Sequence, residues 1–212
     1  AATMGRASHA VFIDCRTEHH ELVPMPLGAA GLCLVVFDTG VKRELAASPY
    51  NLRRRQVEEG AKLISAALGD PGIRILRDVS RKQLDAVRAA LPTTVSERCE
   101  YVVEENERVV DAVRALRMGD YSLLGELMYL SQEGLRDLYE VSCMELDAAV
   151  HTARATPGVL GARMTGAGFG GCTVNLVAQE AVQALVSRLS ALGFADSWAF
   201  AVSASDGGKV VE

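Results

Sequence analysis

The stretch RMTGAGFGGCTVNLV constrains this chain more than any other, because Gly166, Gly168, Gly170 and Gly171 stand within six residues, between a helix pattern and a strand pattern. Glycine adopts left-handed backbone angles without steric cost and lets another group approach the main chain closely. Such a run therefore marks either a tight turn or a loop whose N–H groups surround a phosphate. The flanks narrow the choice of architecture. Upstream, CMELDAAVHTARA reads as a helix, with Ser142 and Glu145 in capping-box spacing and Leu146, Val150 and Ala153 on one face. Downstream, CTVNLVA alternates as a strand does, and no helix pattern begins before about Glu180. A dinucleotide-binding fold needs the reverse order, a strand into the glycines and a helix out of them. A P-loop needs Lys and then Ser or Thr after its last glycine, where Cys172 and Thr173 stand here.

The rest of the chain alternates strands and helices. HAVFIDCR and ELVPMP, joined through the turn-like TEHH, predict a hairpin, and LCLVVFD reads as a fully buried strand. Pro49 opens a helix whose apolar face is Val57, Ala61, Ile64 and Leu68 and which closes at Gly69. Arg54/Glu58 and Arg55/Glu59 are i,i+4 pairs, so the triple arginine is expected on a solvated helix face. A short helix runs from Ser80 towards Pro92 with Leu84, Val87 and Leu91 inward. A long one spans about Val95 to Met118, its stripe formed by Cys99, Val102, Val109, Val113 and Leu116. Asp120 is placed to cap the next helix. After the glycine run come a strand, the helix AVQALVSRLSALGF with Gly193 at its C-terminal cap, and a closing strand SWAFAVSA. This order predicts an α+β class, with a mostly antiparallel sheet faced by helices.

Composition removes several functions. With 22 basic against 27 acidic residues the net charge is −5, which argues against a nucleic-acid surface. No apolar run approaches the roughly 18–20 residues a membrane-spanning helix needs, and no signal peptide is expected. Five cysteines without a C-x-x-C pair favour reduced thiols in a cytoplasmic protein. The four histidines show no metal-ligand spacing and no G-x-S-x-G elbow occurs, so neither a metal site nor a catalytic residue is assigned. Asp14 and Arg16 are expected to be a structural pair.

RMTGAGFGGCTVNLV, together with GELMYLSQEGLRDLYEVSCMELDAAV, ENERVVDAVRAL, DTGVKRELAASPYNLRRRQVEE and SHAVFIDCR, resembles the galactokinases of the GHMP small-molecule kinase family, from about Gly5 to Val210 and in the same order. The resemblance implies a GHMP kinase C-terminal domain with a ferredoxin-like core and added helices over residues 29–212. It makes residues 1–28 a strand pair left from the end of the N-terminal kinase domain. It further implies that Gly166, Gly168, Gly170 and Gly171 form a glycine-rich active-site loop near bound galactose and the ATP phosphates, and that Tyr50 contacts the galactose hydroxyls. A phenol suits that task, since its O–H donates and accepts while the ring packs on the sugar. The family's catalytic aspartate and main phosphate loop match nothing in the chain. ATP and Mg2+ are therefore expected to be held mainly by an N-terminal domain, and the chain alone is expected to be inactive. A non-catalytic galactose- and ATP-responsive regulator, or another GHMP sugar kinase, remain alternatives. The chain departs from the family at Ser131–Gln132, where relatives often show Ser-His, at Leu138 in place of a common second aspartate, and at Ala167, which suits the loop only with negative φ.

Overall fold

A computed structural model describes residues 3–42 and 49–208. The residues between 43 and 48 within the stretch that resembles the galactokinases, and Val210 at its far end, lie outside the described residues. Strands β1 (His9–Asp14) and β2 (His19–Pro24) form an antiparallel hairpin with Asp14 opposite His19. The turn sits two residues earlier than expected, at Cys15–Glu18. The Asp14 carboxylate accepts the Arg16 N–H at 3.0 Å and the Asp14 carbonyl that of Thr17, which closes the bend before the histidines.

The remaining strands build one four-stranded antiparallel sheet. β3 (Leu32–Asp38) lies between β5 (Cys172–Ala178) and β6 (Trp198–Val202), and β4 (Val159–Met164) is the edge beyond β5. Taking β3, β4, β5 and β6 as first to fourth, the spatial order is second, third, first, fourth, which is the split βαβ arrangement of a ferredoxin-like core. Helices α5 (Met144–Arg154) and α6 (Val182–Ser190) are its two crossover helices. They bury Ala149, Ala153, Leu185 and Leu189 against Val35, Phe37 and Val177. β3 is not buried on both faces as its unbroken apolar run predicts. Val35 and Phe37 are fully buried under the helices, whereas Leu34 and Val36 face the other side and are only partly covered. That second face is covered from α4 (Tyr121–Asp137), whose Tyr121, Leu124 and Met128 pack with Leu176 and Leu160. Glycine makes the close approach possible, since a Cβ on Gly125 would lie 2.2 Å from the Leu160 carbonyl oxygen of β4.

Three added helices make a second layer with its own core. α1 (Pro49–Leu68), α2 (Arg81–Val87) and α3 (Thr93–Met118) enclose Ile64, Leu84, Val87, Leu91, Val95 and Cys99. Ser80 and Gln83 cap α2 reciprocally, and the Asp120 carboxylate caps α4 through the Leu123 N–H at 2.9 Å. On α3, Val103 is buried and Val109 exposed, so the stripe turns away from the expected line in the second half of the helix. The hairpin is tied to the segment before α2 by ion pairs, Arg77 with Asp14 at 3.2 Å and Arg16 with Asp78 at 3.4 Å. Asp14 is thus held by Arg77 as well as by its neighbour. Among the described residues, no helix is long and apolar enough to cross a membrane.

Candidate functional site

The glycine run connects β4 to β5 as a folded loop in which five of the six residues from 166 to 171 have positive φ: Gly166, Gly168, Phe169, Gly170 and Gly171. Ala167 is the exception, so its methyl group carries no left-handed strain. The loop has two parts. Thr165, Gly166 and Ala167 are exposed, whereas Gly168 and Gly170 are buried. The missing side chains of the buried pair make room for protein. A Cβ on Gly168 would lie 2.1 Å from the Val141 carbonyl oxygen, and one on Gly170 would lie 2.7 Å from that of Val41. The tip, Thr165–Ala167, is the solvent-exposed part of the loop. Phe169 pins the loop from within. Its N–H donates to Val141 O at 2.8 Å, and its ring packs with Leu146, Met164 and Tyr101, which offsets the cost of φ 59° in a bulky residue. The far end is held by Thr39, whose N–H and hydroxyl both donate to Gly171 O, at 3.0 and 2.8 Å.

Behind the loop lies a strap, Leu138–Val141, which leaves the C-terminal end of α4. Two arginines hold it. Arg53 donates from Nε to Tyr139 O at 2.6 Å and from a terminal nitrogen to Glu140 O and the Glu140 carboxylate, at 3.1 and 3.0 Å. Arg98, only 2 % exposed, donates to Leu138 O and to the same Glu140 carboxylate. Burial and the neighbouring Arg98 charge pull Arg53 below its ordinary pKa, with Glu140 opposing them. Arg53 therefore does not lie on the solvated face expected of the triple arginine. Arg54 does, with Glu58 at 2.8 Å. The sequence carries a signal for the difference: the residue four positions after Arg53 is Val57, so Arg53 has no i,i+4 acid.

Gln132 holds the loop's other flank. It is 2 % exposed, accepts the Met164 N–H at 2.8 Å and donates to Ser142 Oγ and Asp147 Oδ1, both at 3.2 Å. Ser142 correspondingly does not cap α5. The N-cap residue is Cys143, without a side-chain bond, and the Ser142 hydroxyl turns to Asp147 at 2.7 Å.

Tyr50 stands in the first turn of α1, 49 % exposed and one turn before Arg53. The pKa of Tyr139 is raised first by burial and next by Tyr50, so the two phenols are electrostatic neighbours. Helix α1, which carries Tyr50, and the glycine loop are thus both bonded to one strap, through Arg53 and Val141 respectively. Among the described residues, no three His, Cys, Asp or Glu side chains come together to hold a metal ion.

A ferredoxin-like sheet with added helices, and a glycine loop joining the edge strand β4 to β5, define the class. Residues 110–195 match the family described as GHMP kinases C terminal. Within the class, its similarity is to galactokinases. It is 45 % identical over 188 residues to the galactokinase of Chloroflexus aurantiacus, covering 89 % of this chain and 47 % of that one. It overlays the crystal structure of Lactococcus lactis galactokinase complexed with galactose at a TM-score of 0.90 and 32 % identity, over 98 % of this chain and 54 % of that one. The L. major mevalonate kinase complexed with R-mevalonate matches at a TM-score of 0.51 and 26 % identity, over 83 % and 44 %. The chain spans about half the length of the curated relatives it matches.

Proposed function

We propose that this chain supplies one wall of an ATP-dependent galactokinase site, in which the γ-phosphoryl group of ATP passes to the anomeric hydroxyl of galactose to give galactose 1-phosphate and ADP. The observation that carries the reading is the 0.90 overlay on a galactokinase that holds galactose, against 0.51 for a kinase of another small molecule. Phosphoryl transfer rests on positioning and on neutralising the transferred group's charge, so a rigid loop of exposed backbone beside the reacting groups is a useful wall. In this reading the tip Thr165–Ala167 faces the phosphates, Gly168, Gly170 and Gly171 set its shape, and Tyr50 contacts the sugar. The base that takes the hydroxyl proton, the main phosphate loop and the Mg2+ ligands belong to an N-terminal domain, which the hairpin of residues 1–28 completes. Residues 1–212 by themselves do not turn over. The five cysteines form no disulfide among the described residues, in keeping with a reducing, cytoplasmic setting.

The test is Tyr50→Phe in an active protein made by placing this chain behind the N-terminal half of the Chloroflexus aurantiacus enzyme. Loss of one hydroxyl raises the galactose KM about 2- to 10-fold, a net hydrogen bond's contribution, and leaves the ATP KM unchanged. A rise in the ATP KM alone contradicts the placement of Tyr50.

A further inference from the structure

The strap behind the loop is an unusual helix end. Leu138 and Tyr139 both donate their N–H to Gly134 O, and Val141 donates to Leu135 O, so the chain folds back on the last turn of α4 while the carbonyls of residues 138, 139 and 140, just past the helix, take no part in it. Two residues past the cap Leu138, Glu140 takes a left-handed φ of 51°, a conformation that glycine usually supplies near a helix end. Three consecutive carbonyls point away from the helix, and all three are met by guanidinium groups from other helices, Arg98 of α3 at Leu138, and Arg53 of α1 at Tyr139 and Glu140. Their charges also answer the negative end of the helix dipole and share the Glu140 carboxylate. The next residue, Val141, is the one whose carbonyl accepts Phe169 N–H and against which Gly168 packs without a Cβ.

We propose that Arg53 and Arg98 are positioning residues of the glycine loop. By holding the three carbonyls of the strap that follows α4 they fix the path of Leu138–Glu140, hence the position of Val141 and its carbonyl, hence the seat of Gly168 and Phe169. The pair acts at second hand and touches no substrate. Its importance for turnover rests on the kinase reading above, but the mechanical link stands on the strap alone. Guanidinium geometry is the requirement, because Arg53 bonds the two backbone carbonyls from separate nitrogens, Nε to Tyr139 O and a terminal nitrogen to Glu140 O, in a fixed fork that an ammonium group cannot reproduce.

The experiment is amide hydrogen exchange by NMR on residues 1–212, without sugar or nucleotide, comparing the Phe169 amide with the amides of β3. Arg53→Met should speed Phe169 exchange at least about tenfold relative to β3, because local opening then costs less than opening of the sheet. Arg88→Met removes a comparable pair with Glu100 that does not bond the strap, and should leave the ratio within about twofold. A folded Arg53→Met protein with the wild-type ratio overturns the proposal, as does an equal change in both sets of amides. If Arg53→Met does not fold, Arg53→Lys decides: at least about threefold faster relative exchange supports the link, and an unchanged ratio overturns it. Since no ligand is used, failure here leaves the kinase reading standing, and failure of the kinase assay leaves this link standing.

Discussion

Gly168→Ala separates two costs that the loop combines. The first is conformational: φ at Gly168 is 83°, and an L-residue held in the left-handed region loses about 1–2 kcal/mol. The second is steric. The new methyl carbon would lie 2.1 Å from Val141 O, 2.9 Å from Val141 Cβ and 3.0 Å from Met164 Cε. The first of these is backbone and cannot rotate aside, so the strap itself must shift, at an overpacking cost of about 1–3 kcal/mol. The sum is about 2–5 kcal/mol. Gly193→Ala is the matched control, since Gly193 has φ 69° and nothing within 4 Å of its would-be Cβ, leaving only the conformational cost of about 1–2 kcal/mol. Urea unfolding followed through Trp198, the single tryptophan, gives both values. A loss of about 3 kcal/mol corresponds to a fall in Tm of roughly 6–12 °C for a chain of this size. Equal losses for the two variants would refute the account, because the contact with Val141 would then have no energetic weight.

Gln132→Met keeps length and volume but leaves the Met164 N–H without its acceptor, so urea unfolding should show a loss of about 1–3 kcal/mol, and a loss below about 0.5 kcal/mol would speak against the network. The Asp14 carboxyl is held below its ordinary pKa, first by the Arg16 N–H and then by the charges of Arg77 and Arg16. A depressed folded-state value means that this stabilisation is complete above the unfolded value of about 4 and is lost as pH falls through the folded value. Tm measured from pH 7 to pH 3 should therefore fall less steeply below about pH 4 in Asp14→Asn than in the wild type, and parallel curves would remove Asp14 as a source of acid sensitivity.

The helices with clean apolar stripes and caps, such as α2 behind Ser80, were legible from residue pattern alone because their determinants are local. So was the loop's unusual backbone, since only glycine tolerates most of those angles, but its place was misread: the residue pattern sets it between helix and strand, whereas the edge strand β4 stands between α5 and the loop. What holds the loop was not legible. Arg53 finds Tyr139 86 residues away, and Gln132 reaches Met164 across 32, so their partners are set by how α1 and α4 pack and not by any spacing. Glu140 concealed itself for the same reason, an ordinary acidic residue at a position where glycine would have announced a helix end. Ser142 misled in the opposite direction, matching a capping box while its hydroxyl was taken by Asp147.

The central claim is that this chain forms one wall of a galactose-phosphorylating site, and galactose-dependent ADP release tests it most directly. Residues 1–212 are assayed with galactose and Mg-ATP, alone and joined behind the N-terminal half of the Chloroflexus aurantiacus galactokinase. Turnover is expected only in the joined protein, and it should disappear with Gly168→Val in a chimera that still folds. Robust turnover by residues 1–212 alone, or a folded chimera that binds ATP yet never releases ADP with galactose, would contradict the claim.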